Sequence, residues 1–286
     1  ILIGALLRDY SALRLVQVVQ GTAVVTLLLN LIALWKQEKV NPMTKAEREA
    51  ASPTFRDAWN DLASGGDAGR LLAVVFIGTM AFNMQDVLLE PYGGEILGLS
   101  VSATTLLTAM WAAGALVGFA MAARWLARGV DPYRMATRGI LAGIAAFCAV
   151  IFAAPMGSHI LFYAGAALIG FGGGLFGVST LTAAMTMPAI GNAGRGLALG
   201  AWGAAQATGA GLSIFIGGTV RDLVNHAAGN GTLGEALATP ATGYSVVYHT
   251  EIGLLFLTLI VLGPLVRLRP INTRGSAKLG LADFPT

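Results

Sequence analysis

Long apolar runs alternate with short polar connections along most of the chain. Each run is close to the roughly 20 residues that an α-helix needs to cross the hydrocarbon core of a bilayer. The windows are Leu15–Trp35, Leu71–Leu89, Ser102–Leu126, Met135–Ala154, Ile160–Met187, Leu197–Val220 and Val246–Val266. The pattern predicts an all-α protein in which these seven windows are membrane-spanning helices.

The composition supports a membrane location. Hydrophobic residues make up 55% of the 286 residues, charged residues make up 12%, and the mean hydropathy is +0.70. In soluble domains, roughly a quarter of all residues are charged. The net charge of +3 gives no indication of a nucleic-acid partner. No phosphate-binding loop, serine-hydrolase motif or zinc-protease motif is present, so we expect neither an ATP-driven pump nor an enzyme.

The positive charges lie in alternate connections between the predicted helices. Of the 18 Lys and Arg residues, only Arg8, Arg14 and Arg221 lie on one side. The others fall within residues 36–70, 124–138 and 267–278 or at position 195. Such an imbalance in short loops predicts that the richer side, which includes the linker and the C-terminus, faces the cytoplasm.

The spacing of the windows divides the chain into four parts. We interpret residues 1–35 as the end of an N-terminal helical half whose earlier portion is missing, and residues 36–69 as a cytoplasmic linker. Residues 70–270 form a predicted six-helix bundle, and residues 271–286 form a cytoplasmic tail. Two six-helix repeats joined by a linker are typical of major-facilitator proteins. The expected fold is therefore the C-terminal half of a polytopic helical bundle of this type, plus the last one to two helices of the other half.

Two acids follow the apolar run after residue 70. On a continuous helix that starts at Arg70, Asp86 lies about 24 Å and Glu90 about 30 Å along the axis. These positions are near the far end of a hydrocarbon core about 30 Å thick. The two acids share one helix face with Asn83, and Gln85 points to the opposite side.

The continuation of this segment is predicted to stop the helix, because Pro91, Gly93 and Gly94 follow the acids. Three interpretations of the acids stay open. They form a polar helix end that pairs with Arg221, they titrate in a coupled transporter, or they supply oxygen ligands to a magnesium-containing molecule.

Small and aromatic residues add further candidates. Glycines four residues apart allow close packing of helix backbones in lipid, and examples are the pairs Gly170 with Gly174, Gly173 with Gly177, and Gly196 with Gly200. The same flat surface is also suited to a rigid planar ligand. Three tyrosines near the predicted helix ends are interpreted as interfacial anchors, namely Tyr92, Tyr244 and Tyr248. The three histidines, including His249, are isolated in sequence, so no metal site is predicted.

Two stretches resemble a known family. These are "LLRDYSALRLVQVVQGTAVVTLLLNLIALWKQE" (Leu6–Glu38) and "QDVLLEPYGGEILGLSV" (Gln85–Val101), supported by "GFGGGLFGVSTLTAAM" and "GRGLALGAWGAAQATGAGLS". They are similar to the PucC/LhaA group of bacteriochlorophyll-delivery proteins within the major facilitator superfamily. That family has twelve spans, so the resemblance implies that this chain holds the end of the fifth helix, the sixth, and the seventh to twelfth.

The resemblance also implies a function. The expected role is that of an assembly factor, or chaperone, for light-harvesting complexes in the intracytoplasmic photosynthetic membrane of a purple bacterium. Its partners would be antenna or reaction-centre polypeptides, membrane lipids, and bacteriochlorophyll as cargo rather than as a resident cofactor. Transporters of that superfamily carry a gating motif between two helices. The corresponding segment of this chain reads "GFAMAARWLARG", with Ala122 in place of the expected acid and Trp125 in place of an expected glycine. This departure argues against an alternating-access mechanism.

The candidate residues fall into two groups. We expect a pigment or polar pocket to involve Asp86, Glu90, His249, Gly173 and Gly174. We expect partner docking to involve Gln85, Pro91, Tyr92, Gly93 and Gly94. Two alternative functions remain, a proton-coupled carrier of a small molecule and a structural subunit docked on an antenna complex.

Overall fold

The computed structural model describes residues 11–35, 66–187 and 195–267, together with positions 54, 56, 59 and 60. Every regular element within these ranges is helical, as predicted from the hydropathy pattern. Most of the predicted linker, the tail 271–286 and residues 1–10 lie outside the described residues.

The described helices closely follow the predicted windows. We number them α1 (Ala12–Trp35), α2 (Asp67–Asn83), α3 (Leu89–Glu95), α4 (Val101–Leu126), α5 (Pro132–Ala153), α6 (His159–Met185), α7 (Arg195–Gly229) and α8 (Ala241–Arg267). A 3-10 turn, Met84–Val87, joins α2 to α3, and another, Glu235–Leu237, precedes α8.

Within the described ranges, six helical segments are long and apolar enough to cross a membrane. They are α1, the α2–α3 segment, α4, α5, α6 and α8. The seventh predicted span, Leu197–Val220, is helical as part of α7, but this glycine-rich helix is not among the six. Helix α7 also extends nine residues beyond the predicted end, so the connection to α8 is shorter than the sequence suggested.

Helix α1 and the bundle helices belong to two different units of the chain, and α1 is described by itself. Its polar side chains bond within the helix, since Thr22, Thr26 and Asn30 each donate to a carbonyl oxygen four residues earlier. This local bonding satisfies polar groups without a second helix.

The beginnings of three bundle helices are set by local capping. Ser100 accepts a hydrogen bond from the Ala103 N–H, and Ser158 does the same for the Leu161 N–H. Asp131 accepts from the Arg134 N–H and is followed by Pro132 at the first helical position. These contacts satisfy N–H groups that have no partner in the first turn.

Glycines bring α4, α5 and α6 into close contact. A Cβ atom at Gly118 would lie 2.5 Å from the Phe171 carbonyl oxygen, and one at Gly174 would lie 2.8 Å from that of Ala115. Gly114 and Gly170 likewise face the backbone of the opposite helix. The predicted packing role of Gly170 and Gly174 is thus confirmed. The same role predicted for Gly177, Gly196 and Gly200 is not seen, because all three face open space within the described residues, and Gly173 contacts only the Phe82 side chain.

An aromatic cluster fills the core between α3, α5, α6 and α8. Tyr92 packs edge-on against Tyr244 and Tyr248, with 5.3 Å between ring centroids in both pairs. It also contacts Phe162. All three tyrosines are buried, so the prediction that they anchor the protein at the membrane interface was wrong. The helices place these rings toward one another, where they exclude water and lipid from the core.

Candidate functional site

The candidate site is built on a break in the helix that follows residue 67. Helix α2 ends at Asn83, a 3-10 turn follows, and α3 starts at Leu89. The single continuous helix assumed from the sequence was therefore wrong. The Gln85 N–H donates to the Glu251 carboxylate at 2.7 Å, and Leu88 N–H donates back only three residues to the Gln85 carbonyl. The carboxylate of α8 thus replaces an intrahelical carbonyl at the break.

The residues expected to end the helix lie inside α3. Pro91 occupies the first turn, where its missing N–H removes no intrahelical bond. Gly93 is buried, and a Cβ atom there would lie 3.0 Å from the Phe162 ring and 3.3 Å from Leu107. Gly94 and Pro91 are exposed. The prediction that Pro91, Gly93 and Gly94 terminate the helix was wrong, and only the exposed pair is available to a partner.

Gln85 faces the interior rather than the outside. Its side chain is 2% exposed, and its amide donates to the Asp86 carboxylate at 2.6 Å and to the Phe82 carbonyl. The expectation that Gln85 points away from the acids was wrong, because the 3-10 turn rotates the backbone relative to a continuous α-helix. Gln85 instead connects Glu251 to Asp86.

Asp86 and Glu90 line one cavity, in agreement with the prediction that they share a face. The cavity has a volume of about 220 Å³ and opens to the surface between the break and α4. Glu90 accepts a hydrogen bond from the Thr108 hydroxyl, and Trp111 lies one turn further along α4. Leu89 and Leu107 supply the apolar part of the wall.

A second cavity, of about 210 Å³, shares Trp111 with the first. Its lining is mostly apolar and includes Phe119, Phe176 and the glycine run of α6, with Gln206 from α7. Gly173 lines this cavity and has no close neighbour, since an added Cβ atom would make only an ordinary contact, at 3.7 Å, with the Phe82 ring. Gly174 lines it but serves mainly to accommodate the Ala115 carbonyl. The two cavities form a surface with one acidic end and one flat, apolar end.

Other sequence candidates lie elsewhere. His249 is exposed, its ring nitrogen bonds only Ser245 of its own helix, and it lines neither cavity. Arg221 pairs with Glu95 at 2.9 Å and with Asp222 at 2.8 Å, so it is not the counter-ion of Asp86 or Glu90. Tyr244 joins this group by donating to Glu95 at 2.7 Å. In the described part of the chain no cluster of three or more His, Cys, Asp or Glu residues is arranged for a metal ion.

The sequence analysis missed three residues of the site. Thr108 and Trp111 lie on α4, and their participation depends on how α4 packs against the break. Glu251 carried a signal, because it is an acid ten residues into an apolar helix, where an ionisable group marks a functional or structural position. Its contact with Gln85, 166 positions earlier, is not visible in any local pattern.

Comparison with known proteins identifies the family. The family model described as "PUCC protein" matches residues 1–269. The whole chain is 58% identical to the protein of the puhA-bchM intergenic region of Rhodobacter capsulatus, covering 60% of that protein. Over 78% of its length it is 48% identical to Protein PucC of Rhodovulum sulfidophilum, covering 49% of that protein.

A more distant relative carries a different name. It is the "Bacteriochlorophyll synthase 44.5 kDa chain" of Rhodobacter capsulatus, 26% identical over 97% of this chain and 61% of that protein. The chain therefore spans about half to three-fifths of the length of the curated relatives it matches. Because the family model covers nearly all of it, this polytopic helical chain belongs to the PucC protein family.

Proposed function

We propose that the protein is an assembly factor for photosynthetic light-harvesting complexes that binds bacteriochlorophyll and passes it to antenna polypeptides. The observation that carries the proposal is membership of the PucC family across residues 1–269. The name of the distant relative, a bacteriochlorophyll synthase chain, supports a connection with this pigment. The pigment is cargo in this proposal, and the protein has no enzymatic activity of its own.

The two adjoining cavities support a transient pigment site. A chlorin pigment has a flat apolar ring and a central magnesium ion, and Mg²⁺ prefers oxygen ligands. Gly173 and Phe119 offer the flat apolar wall, while Asp86 and Glu90 offer carboxylate oxygens at the other end. Trp111 lies in both linings, where its ring is suited to stacking.

The size of the cavities favours delivery over permanent storage. Each is smaller than the roughly 300–1,000 Å³ of typical ligand pockets. A large planar ligand would therefore occupy both cavities and leave one side uncovered. An antenna or reaction-centre helix that covers this side is in position to accept the pigment, and Pro91 and Gly94, which follow Glu90 on α3, are exposed.

The proposed setting follows from the family. We place the protein in the intracytoplasmic photosynthetic membrane, with the architecture of a major-facilitator half of the LhaA type and with its linker and C-terminus in the cytoplasm. The excess of Lys and Arg in alternate connections supports this orientation.

Pigment binding by the intact protein tests the proposal. The full-length protein is purified from a pigment-producing host, and bound bacteriochlorophyll is measured by absorbance per mole of protein. We expect a Trp111→Ala variant and an Asp86→Asn/Glu90→Gln variant to lose most of the pigment. The matched control is His249→Ala, which changes an exposed residue outside both cavities. A wild-type protein that carries no pigment and captures no antenna polypeptide contradicts the proposal.

A second candidate is a proton-coupled carrier for a small molecule. It is favoured by the broken helix with the buried Glu251 carboxylate at the break, because discontinuous helices form the binding sites of many transporters. The degraded gating sequence around Ala122 counts against it. Pigment-independent uptake of a solute into proteoliposomes, abolished by dissipating the proton gradient, would favour this function over pigment delivery.

A further inference from the structure

Glu251 is a buried acid whose hydrogen bonding is incomplete. It is 0% exposed and lies about 15 Å along α8 from Ala241. One carboxylate oxygen accepts the Gln85 N–H at 2.7 Å, and the other oxygen has no hydrogen-bond partner among the described residues. The buried Tyr248 hydroxyl, one turn earlier, has none either. An ionised carboxylate with a single donor in an apolar interior is costly, and a bound proton removes that cost.

The surroundings of Glu251 supply no compensating positive charge. Asp86, which is bonded to the same Gln85 at the helix break, is an acid and supplies no positive charge. The sequence of α7 has no ionisable residue between Arg195 and Arg221, and Arg221 is engaged with Glu95 and Asp222.

The other helices packed against α8 carry charge only near their first residues. Helix α2 is charged only at Asp67 and Arg70, at the end remote from the break. Helix α5 has no charged residue after Arg138, and its one thiol belongs to Cys148. The core also contains the phenols of Tyr92, Tyr244 and Tyr248, and that of Tyr133 near the start of α5. In the described part of the chain Glu251 therefore has no ion pair.

The buried acid is connected to the cavity through one residue. Gln85 gives its main-chain N–H to Glu251 and its side-chain amide to Asp86 at 2.6 Å. The 3-10 turn that holds Gln85 is a weaker structure than the α-helices on either side. On its other side the turn is approached closely by α7, where a Cβ atom at Gly217 would lie 2.8 Å from the Met84 carbonyl oxygen. A change at Glu251 therefore acts first on the turn and then on Asp86.

We propose that Glu251 is a proton-binding site that controls the shape of the broken helix. In the protonated form the carboxyl group is neutral and accepts the Gln85 N–H. When its O–H bond breaks, the proton passes to solvent water and a negative charge stays on Glu251. The turn Met84–Val87 then rearranges to supply further donors, which moves Gln85 and alters the cavity around Asp86 and Glu90. This inference concerns the chain alone and does not depend on which ligand the cavity takes.

Two measurements on the full-length protein in lipid bilayers test the inference. Infrared spectroscopy follows the carbonyl band of a protonated carboxyl group from about pH 7 upward, well above the pKa of roughly 4 of carboxyl groups in water. The alkylation rate of a Thr108→Cys/Cys148→Ser protein follows the cavity over the same range, and it is expressed relative to the rate of an Ala236→Cys/Cys148→Ser protein at the same pH, because thiol ionisation alone makes alkylation faster as the pH rises. Both are repeated with Glu251→Gln, and with Asp86→Asn and the exposed Glu235→Gln as matched controls.

We expect a carboxyl band near neutral pH that disappears at alkaline pH, with the alkylation rate changing at the same midpoint. Glu251→Gln should lose both the band and the pH dependence, whereas Asp86→Asn and Glu235→Gln should keep the band. The inference is overturned if the wild-type protein has no such band, if alkylation does not vary with pH, or if Glu251→Gln retains the pH dependence. If Glu251→Gln does not fold, the inference is rejected when the carboxyl band and the alkylation rate change at two different midpoints in proteins that keep Glu251.

Discussion

Two parts of the bundle pack in opposite ways. Where α4 and α6 meet, glycines remove side chains and let one backbone rest on the other, as at Gly118 and Gly174. Where α8 meets α3 and the 3-10 turn before it, large aromatic rings and polar groups fill the space, with Tyr244 and Glu251 of α8 and Arg221 of α7 at the contact. Backbone contact leaves little freedom to adjust, whereas the second contact depends on groups that can exchange partners. The first part is therefore suited to support, and the second to conformational change.

The largest effect is expected from filling the glycine contact. A Gly114→Ala change places a Cβ atom against the Ala167 carbonyl group, and a backbone cannot rotate away as a side chain can. We expect destabilisation of about 3 kcal/mol or loss of the folded protein. The matched control is Gly200→Ala in α7, which faces open space and should change stability by no more than about 1 kcal/mol. Thermal unfolding followed by size-exclusion chromatography measures both, and equal effects would remove the distinction between the two glycines.

The ion cluster at Arg221 should give an intermediate effect. Its guanidinium group bonds Glu95 and Asp222 and lies 4.7 Å from the centre of the Tyr244 ring. We expect Arg221→Gln to cost about 1–3 kcal/mol, because hydrogen bonds to charged groups are lost from a partly buried site. The exposed Arg134→Gln serves as control. A double-mutant cycle with Glu95→Gln should be non-additive, and strict additivity would show that the pair contributes nothing.

The smallest effect separates two neighbouring tyrosines. The Tyr244 hydroxyl donates to Glu95 at 2.7 Å and accepts from Arg221, whereas the buried Tyr248 hydroxyl has no partner among the described residues. Tyr244→Phe should cost about 1 kcal/mol, the net value of a typical hydrogen bond. Tyr248→Phe should leave the free energy of unfolding unchanged or raise it, because it removes an unsatisfied polar group. Chemical denaturation of both variants tests this, and a larger loss for Tyr248→Phe would reveal an additional partner of its hydroxyl.

The helices were largely predictable because their causes are local. Apolar runs determine where they lie, and the caps at Ser100, Asp131 and Ser158 are read directly from neighbouring residues. The glycine contact of α4 and α6 was also predictable in kind, since small residues four apart favour close packing. The prediction failed at Gly200 because spacing alone does not say which helix face meets a neighbour.

The site was predictable only in part because its cause is distant in sequence. Asp86 and Glu90 were found as acids after an apolar run, and they do line one cavity. The break that orients them depends on Glu251 in the last described helix. A prediction that does not include this contact assumes a continuous helix, and on a continuous helix Gln85 points away from the acids. The resemblance to a family supplied the functional expectation, and it could not supply the positions of Thr108 and Trp111.

The 3-10 turn between α2 and α3 also has an evolutionary consequence. In an unbroken helix, inserting or deleting one residue rotates everything beyond it by about 100°. Such a change would carry Tyr92 and Glu95 away from their partners on α8 and α7. The turn separates the register of α3 from that of α2, so a length change within Met84–Val87 can be absorbed locally. The two segments are thus free to diversify independently, and we expect insertions among relatives to be tolerated here more readily than within either helix.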